Sequence, residues 1–204
     1  EFPKTSIPLV CDMSSDIFSR TLDFSQFDLI YAGAQKNMGP AGATLVVVKE
    51  EILGKTGRYI PSMLDYEKHI KAESMYNTPP VFPIYASLLT LQWLKKLGGI
   101  AAIEKINEQK AQLLYTEIDR NPLFKGTAAT EDRSNMNATF VLTDENLTEK
   151  FDKMWKAAGI SGLTGHRSVG GYRASMYNAL PLESVEELVN VMKELEVSTK
   201  ILTQ

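Results

Sequence analysis

Residues 32–42 read Ala-Gly-Ala-Gln-Lys-Asn-Met-Gly-Pro-Ala-Gly. Short apolar runs flank this segment at residues 29–33 and 44–48, and their length and β-rich composition predict two strands of a covered sheet. The Gly-Pro-Ala-Gly sequence is a strong turn signal between them. Lys36 therefore lies in a glycine-rich turn directly after a strand. Small neighbours in such a turn let a ligand approach the amine closely, so the segment indicates a reactive lysine.

A carboxylate, Asp12, directly follows another strand-like run at residues 7–11. Pyridoxal phosphate acts as an electron sink only while its ring nitrogen is protonated, and a buried carboxylate maintains that state. The cofactor's aldehyde is also held by a lysine amine. Asp12 and Lys36 together therefore predict a site for pyridoxal 5′-phosphate. Each residue alone has an ordinary alternative, since an aspartate at a strand end commonly caps a turn and a single lysine is commonly solvated.

Length and composition predict a globular protein of one large or two small domains, because 204 residues can bury a sizeable core. The net charge of −3 disfavours nucleic acid or an anionic membrane as a partner. The apolar runs are far shorter than the roughly 18 residues that a membrane-spanning helix needs. One cysteine, Cys11, fits a reducing cytoplasm. Two histidines far apart, His69 and His166, make no metal-ligand set, so no metal is expected.

Helical periodicity dominates the chain after a polar, irregular segment that runs from Gly54 to Asn77. A first helix is predicted to start after Thr78 and to end at Gly98-Gly99. We expect one of its faces to be core, formed by Phe82, Tyr85, Leu88, Leu89 and Trp93. Near the C-terminus, Ser184 and Glu187 have the spacing of a capping box for a last helix.

The diglycine at Gly98-Gly99 is also the best candidate for a domain boundary. Sheet-forming sequence dominates residues 1–98, whereas helices and strands alternate in residues 99–204. The chain is therefore expected to contain two α/β parts, the first carrying Asp12 and Lys36.

A second candidate site lies at residues 165–173, which read Gly-His-Arg-Ser-Val-Gly-Gly-Tyr-Arg. A guanidinium binds a carboxylate or phosphate through paired hydrogen bonds, and glycines let backbone amides reach the same anion. Arg173, at the edge of a predicted strand over residues 174–178, is placed to hold a carboxylate. His166 and Arg167 could hold a second acidic group, so the segment predicts a doubly anionic substrate. A surface loop with solvated charges is the alternative.

A third candidate is the pair Asn77 and Thr78, just before two prolines at the predicted start of a helix. Their side chains and the free amides of the helix start suit a phosphate group. Simple capping of the helix fits the same residues.

Four segments, taken in order, resemble those of the phosphoserine aminotransferases, which are class V, fold-type I pyridoxal phosphate enzymes. They read Asp-Met-Ser-Ser-Asp-Ile at 12–17, Tyr-Ala-Gly-Ala-Gln-Lys-Asn-Met-Gly-Pro-Ala-Gly at 31–42, Tyr-Asn-Thr-Pro-Pro at 76–80, and Gly-His-Arg-Ser-Val-Gly-Gly-Tyr-Arg-Ala-Ser-Met-Tyr-Asn-Ala at 165–179. The resemblance spans essentially the whole chain. It implies an α/β fold: the C-terminal part of the large cofactor-binding domain, with a mixed, mostly parallel sheet, in residues 1–98, and a small α/β domain in residues 99–204.

The resemblance also implies roles for the cofactor-binding residues. Lys36 binds pyridoxal 5′-phosphate covalently, Asp12 pairs with the ring nitrogen, and Gln35 helps to hold the phosphate. Residues matching Asn77 and Thr78 reach across the interface of a homodimer to the partner's cofactor phosphate.

Substrate binding follows from the same resemblance, with His166 and Arg167 on the substrate phosphate and Arg173 on the α-carboxylate. The implied reaction moves an amino group between glutamate and 3-phosphohydroxypyruvate, giving O-phosphoserine and 2-oxoglutarate in serine biosynthesis, with pyridoxine biosynthesis as a further pathway. Lys36 is implied as the general base of the proton transfer.

This chain departs from the family at its front, since the family's N-terminal half, with its phosphate-gripping loop, is absent here. We therefore expect the chain alone to bind cofactor weakly and to turn over little or nothing. Two alternatives stay open. One is another class V enzyme that acts on an unphosphorylated substrate, and the other is a folded, non-catalytic oligomerisation module.

Overall fold

The computed structural model describes residues 2–166 and 170–201. The chain divides into two compact units, Glu1–Ile100 and Ala101–Gln204. Within these described ranges, no helix combines the length and the apolar character needed to cross a membrane.

The first unit contains a three-stranded mixed sheet. Strand β1 (Val10–Asp12) pairs in parallel with β2 (Leu29–Gly33), which pairs antiparallel with β3 (Thr44–Val48). The bounds predicted for β2 and β3 are confirmed. The strand predicted at residues 7–11 is instead shorter and displaced, so that Asp12 is the last residue of β1.

Alternation along β2 explains the core of this unit. Ile30 and Ala32 are buried, whereas Tyr31 between them is exposed. They pack against apolar side chains from the segments before and after the strand: Met13, Ile17, Phe27, Ala34 and Met38. The loop after β1 and the turn after β2 are thereby joined through one apolar cluster.

Two helices follow in the first unit. Helix α1 (Tyr66–Lys71) is capped by Asp65, whose side chain accepts a hydrogen bond from the Glu67 amide. The prediction of an irregular segment from Gly54 to Asn77 is therefore wrong there. Helix α2 (Val81–Leu97) ends as predicted at Gly98, which adopts the left-handed conformation with φ of 114°.

The apolar face predicted for α2 is exposed in the described chain, contrary to the expectation that it is core. Its members keep 40–72 % of their surface accessible: Phe82, Tyr85, Leu88, Leu89 and Trp93. Helical periodicity predicts which side of a helix avoids water, but the residues that cover that side are not specified locally.

The second unit is a three-stranded antiparallel sheet with helices. Its strands are β4 (Phe124–Gly126), β5 (Asn137–Leu142) and β6 (Tyr172–Ser175), in the order β4-β5-β6. Its helices are α3 (Ile100–Arg120), α4 (Thr148–Ala157) and α5 (Leu182–Lys200).

One apolar cluster holds this second unit together. Side chains at alternate positions of β5 are buried and meet the inner faces of the helices, with four aromatic rings in edge and stacked contacts: Phe124, Phe140, Phe151 and Tyr172. Beside this core, β6 presents Arg173 on the exposed side of the sheet.

The capping box predicted at Ser184 and Glu187 is wrong, because α5 begins earlier, with Pro181 as its N-cap residue. The Ser184 amide already donates to the Pro181 carbonyl oxygen at 3.2 Å, so Ser184 lies inside the first turn. Pro181 keeps extended backbone, with φ of −70° and ψ of 156°, directly before the first helical residue, Leu182, so Ser184 cannot act as the N-cap.

Candidate active site

The first candidate site lies at the carboxyl ends of β1 and β2. Because the two strands are parallel neighbours, their carboxyl ends meet at one edge of the sheet, where ligands bind in open α/β folds. Asp12 ends β1, and Lys36 lies in the turn that follows β2. The structure therefore brings together the two residues singled out from the sequence.

Asp12 is held in its ionised form by its surroundings. Hydrogen bonds from the Ser14 side chain and amide lower the pKa of this carboxyl group, and the Tyr31 hydroxyl and the charge of Lys36 add to the effect. The Ser14 amide lies 2.9 Å from Asp12 Oδ1. In return, the negative charge of Asp12 raises the pKa of Tyr31. Asp12 is exposed in the described chain, so the expectation of a buried carboxylate is wrong here.

Lys36 is half-buried, and its amine contacts the loop after β1. Nζ donates a hydrogen bond to the Ser15 hydroxyl at 2.8 Å. Its neighbour Asn37 is buried and donates to the carbonyl oxygens of Ser15 and Ile17 at 3.3 and 3.0 Å. These bonds fix the turn carrying Lys36 against the loop carrying Ser15.

The glycines after Lys36 also pack against helix α2, a role that the sequence did not indicate. A Cβ atom on Gly39 would lie 2.7 Å from Ser87 Oγ, and one on Gly42 would lie 2.9 Å from Pro83 Cγ. Glycine is therefore needed at both positions for close packing against α2, and it also leaves room beside the lysine. Gln35 is exposed and its side chain lies over Gly33.

Asn77 and Thr78 lie in the exposed segment before α2. The side-chain amide of Asn77 donates to the Thr78 carbonyl oxygen at 3.1 Å. The helix cap is Pro80, without a capping bond from a side chain, so simple capping by Thr78 is wrong. Phosphate binding by this pair stays a prediction.

The second candidate site is formed by the loop before β6. The Gly170 amide donates to the His166 carbonyl oxygen, and the Gly165 amide donates to the Gly171 carbonyl oxygen, both at 2.8 Å. A Cβ atom on Gly165 would collide with the Gly170 carbonyl oxygen, so the close approach of these two residues requires glycine at position 165. Arg167, the third basic residue predicted here, lies outside the described residues.

His166 and Arg173 line one cavity of about 380 Å³, together with Thr127, Thr139 and Gly170. Arg173 lies within β6, one residue inside a strand that begins earlier than predicted. The strand fixes its backbone, and the Arg173 amide donates to the Leu163 carbonyl oxygen at 2.7 Å. The cavity therefore combines a rigidly based guanidinium with an imidazole, which suits an anionic ligand.

Sequence reasoning missed four residues of the first site: Ser14, Ser15, Tyr31 and Asn37. The signal available was the Ser-Ser pair that begins two residues after Asp12, and the amide of Asn37 directly after Lys36. Hydroxyl and amide groups next to a charged residue at a strand end commonly organise its hydrogen bonds. Among the described residues, no group of three or more His, Cys, Asp and Glu could hold a metal.

Comparison with known proteins defines the class. The family model for aminotransferase class V matches residues 2–188, so the chain belongs to the class V aminotransferase family.

Particular relatives are phosphoserine aminotransferases. Those of Flavobacterium psychrophilum and Flavobacterium johnsoniae are 86 % and 78 % identical over 195 and 196 residues, covering 96 % of this chain and 55 % of each relative. The chain thus spans about half the length of the curated relatives it matches. The resemblance inferred from the four motif segments is confirmed.

Solved structures agree. The phosphoserine aminotransferase from Bacillus circulans subsp. alkalophilus superposes with a TM-score of 0.92 at 46 % identity, over 98 % of this chain and 56 % of that one. The pyridoxal phosphate-bound phosphoserine aminotransferase from Trichomonas vaginalis superposes with a TM-score of 0.88 at 38 % identity, over 95 % of this chain and 55 % of that one. These likenesses confirm the predicted fold class.

Proposed function

We propose that this chain forms the C-terminal part of a phosphoserine aminotransferase that transfers an amino group between glutamate and 3-phosphohydroxypyruvate. The observation that carries the proposal is the placement of Lys36 and ionised Asp12 at one sheet edge, in a chain 86 % identical to such an enzyme. The products are O-phosphoserine and 2-oxoglutarate, which belong to serine biosynthesis.

The residues present fit pyridoxal 5′-phosphate. A carboxylate with a lowered pKa, such as Asp12, is the group that keeps a ring nitrogen protonated, and Lys36 supplies a primary amine beside it. When bound, the cofactor supplies the electron sink for breaking a bond at the substrate's α-carbon. Gln35, Asn77 and Thr78 supply neutral donors for its phosphate, the last two toward the cofactor of a second copy in a homodimer.

Lys36 is the proton carrier of this proposal. Its Nζ takes the α-proton of the amino donor in the first half of the reaction. In the second half it returns a proton to the α-carbon of the amino acceptor, so Lys36 acts as a general base and then as a general acid. The hydrogen bond to Ser15 keeps Nζ at the sheet edge. Asp12 holds the proton on the ring nitrogen through an ionic hydrogen bond.

Arg173 is assigned to the substrate's α-carboxylate, because a guanidinium binds a carboxylate through two parallel hydrogen bonds. His166 and Arg167 are assigned to the phosphate. We further assign residues 1–98 to the large cofactor-binding domain and residues 99–204 to the small domain. The protein is assigned to the cytoplasm, without nucleic-acid or membrane partners, because its net charge is −3 and its single cysteine suits a reducing compartment.

A chimera tests this function. The part of the Flavobacterium psychrophilum enzyme that matches this chain is replaced by this sequence, and the chain alone is assayed beside it. We expect the chimera to form O-phosphoserine, Lys36→Ala to abolish turnover, and the isolated chain to show little or none. Lys153→Ala, at an exposed position of α4, is the matched control.

The same assay decides between the alternatives. Turnover of an unphosphorylated oxo acid at least equal to that of 3-phosphohydroxypyruvate would favour another class V activity. A folded chimera that never transaminates would contradict the proposal.

A further inference from the structure

The loop after β1 is internally braced on both sides of Ser15. The amides of Asp16 and Ile17 both donate to the Met13 carbonyl oxygen, at 2.9 and 2.8 Å. Asp16 in turn accepts hydrogen bonds from the Ser19 hydroxyl and from two guanidinium nitrogens of Arg20, at 2.9 and 2.7 Å. A loop tied at so many points holds the Ser15 hydroxyl in one place.

The turn that carries Lys36 is tied to the same loop independently of the lysine side chain. Asn37 donates to the carbonyl oxygens of Ser15 and Ile17, and the Gly33 amide donates to the Ser14 hydroxyl at 3.1 Å. The backbone of Lys36 therefore has a fixed position relative to Ser15. The 2.8 Å hydrogen bond from Lys36 Nζ to Ser15 Oγ therefore joins two segments that other hydrogen bonds already hold together.

A hydroxyl differs from a carboxylate as a partner for an amine. It accepts a hydrogen bond from a protonated amine, and it donates one to the lone pair of a neutral amine. A carboxylate would favour the charged form alone. A lysine that gains and loses a proton during a reaction keeps a hydroxyl partner in both states.

We propose that Ser15 is a positioning residue for Lys36, whose hydroxyl holds Nζ at the sheet edge in both protonation states of the amine. This inference rests on the proposed function only for its catalytic consequence. The hydrogen bond itself can be tested in the chain without cofactor.

The test compares Ser15→Ala with Ser15→Thr, which keeps the hydroxyl. Ser19→Ala is the matched control, because it removes a hydroxyl that braces the same loop through Asp16. In the cofactor-free chain, Lys36 is acetylated at one fixed pH, and the rate is read by peptide mass spectrometry relative to exposed Lys153. Ser15→Cys replaces Ser15→Ala if melting shows that the alanine variant is unfolded.

We expect Lys36 to be acetylated about three- to tenfold faster in Ser15→Ala, because the amine loses a hydrogen bond that holds it to the loop. Ser15→Thr and Ser19→Ala should match the wild type. In the chimera, Ser15→Ala should lower kcat by a similar factor and leave KM unchanged. A merely structural defect of the loop would instead lower the melting temperature in Ser15→Ala and in Ser19→Ala alike.

Equal acetylation of Lys36 in wild type and Ser15→Ala would overturn the inference, and so would an equal rise in Ser19→Ala. If the chimera takes up no pyridoxal phosphate, the proposed function fails, while the acetylation rates still decide the role of Ser15.

Discussion

Lys110, in the middle of α3, is fully buried, and replacing it by methionine should change how stability depends on pH. Its Nζ donates to the carbonyl oxygens of Met176, Tyr177 and Leu180 at 3.0, 3.0 and 3.1 Å. Burial lowers the pKa of this lysine from 10.5 to about 8. The amine thus ties α3 to the segment that follows β6, although its charged form is disfavoured there.

The sign and size of the effect follow from the two pKa values. Between the folded value of about 8 and the unfolded value of 10.5, the unfolded chain binds more protons, so the free energy of unfolding rises with pH. From about pH 7 to about pH 9.5 this linkage adds about 2 kcal/mol. Methionine does not titrate, so Lys110→Met lacks this increase in the free energy of unfolding. It also deprives carbonyl oxygens of their donor, at about 1–3 kcal/mol for each one left unsatisfied.

Urea unfolding at the two pH values measures the difference. The fluorescence of buried Trp155, in a Trp93→Phe background, reports the second unit alone. We expect the stability deficit of Lys110→Met to widen by about 2 kcal/mol at the higher pH. Lys105→Met, at an exposed position of the same helix, should show no such widening. An unchanged deficit would refute the reasoning, because Lys110 would then keep an ordinary pKa.

Three further predictions concern other parts of the chain. Gly39→Ala should destabilise the first unit by about 1–3 kcal/mol in thermal unfolding, because its Cβ meets Ser87 Oγ, and Ser87→Ala, which removes that oxygen and suits a helix, should recover part of the loss. Hydrogen bonds and the charges of Lys200 and Arg120 lower the pKa of Glu196, so the deficit of Glu196→Gln in urea unfolding should shrink as the pH falls below 4.5; a constant deficit would contradict this. Arg173→Lys in the chimera should raise the KM for the substrate about tenfold, since lysine keeps the charge but loses the paired hydrogen bonds, and Arg173→Ala should raise it further. Equal KM values in the wild type and the two variants would refute the assignment.

Local signals predicted the elements that depend on local physics. Strands β2 and β3 have the predicted bounds because apolar runs bounded by turn residues specify short strands. The end of α2 at Gly98 follows from the freedom of glycine to adopt positive φ. Asp12 and Lys36 could be paired because adjacent parallel strands place their carboxyl ends together.

Features that depend on distant partners could not be predicted. The apolar face of α2 is visible in the sequence, but what covers it is not, and the described chain leaves it exposed. The partner of Lys36, Ser15, is 21 residues away, and the carbonyl oxygens around Lys110 are 66 to 70 residues away. Helix α5 starts at Leu182, so Ser184 lies inside its first turn, and the spacing of Ser184 and Glu187 alone did not fix where the helix begins.

The site of cofactor attachment tests the central claim most directly. The chimera is incubated with pyridoxal 5′-phosphate, and borohydride then reduces the imine between lysine and cofactor to a stable amine. The protein is digested, and the modified peptides are identified by mass spectrometry. We predict one phosphopyridoxyl adduct, on the peptide that contains Lys36, and its loss in Lys36→Ala. An adduct spread over other lysines, with Lys36 unmodified, would contradict the account.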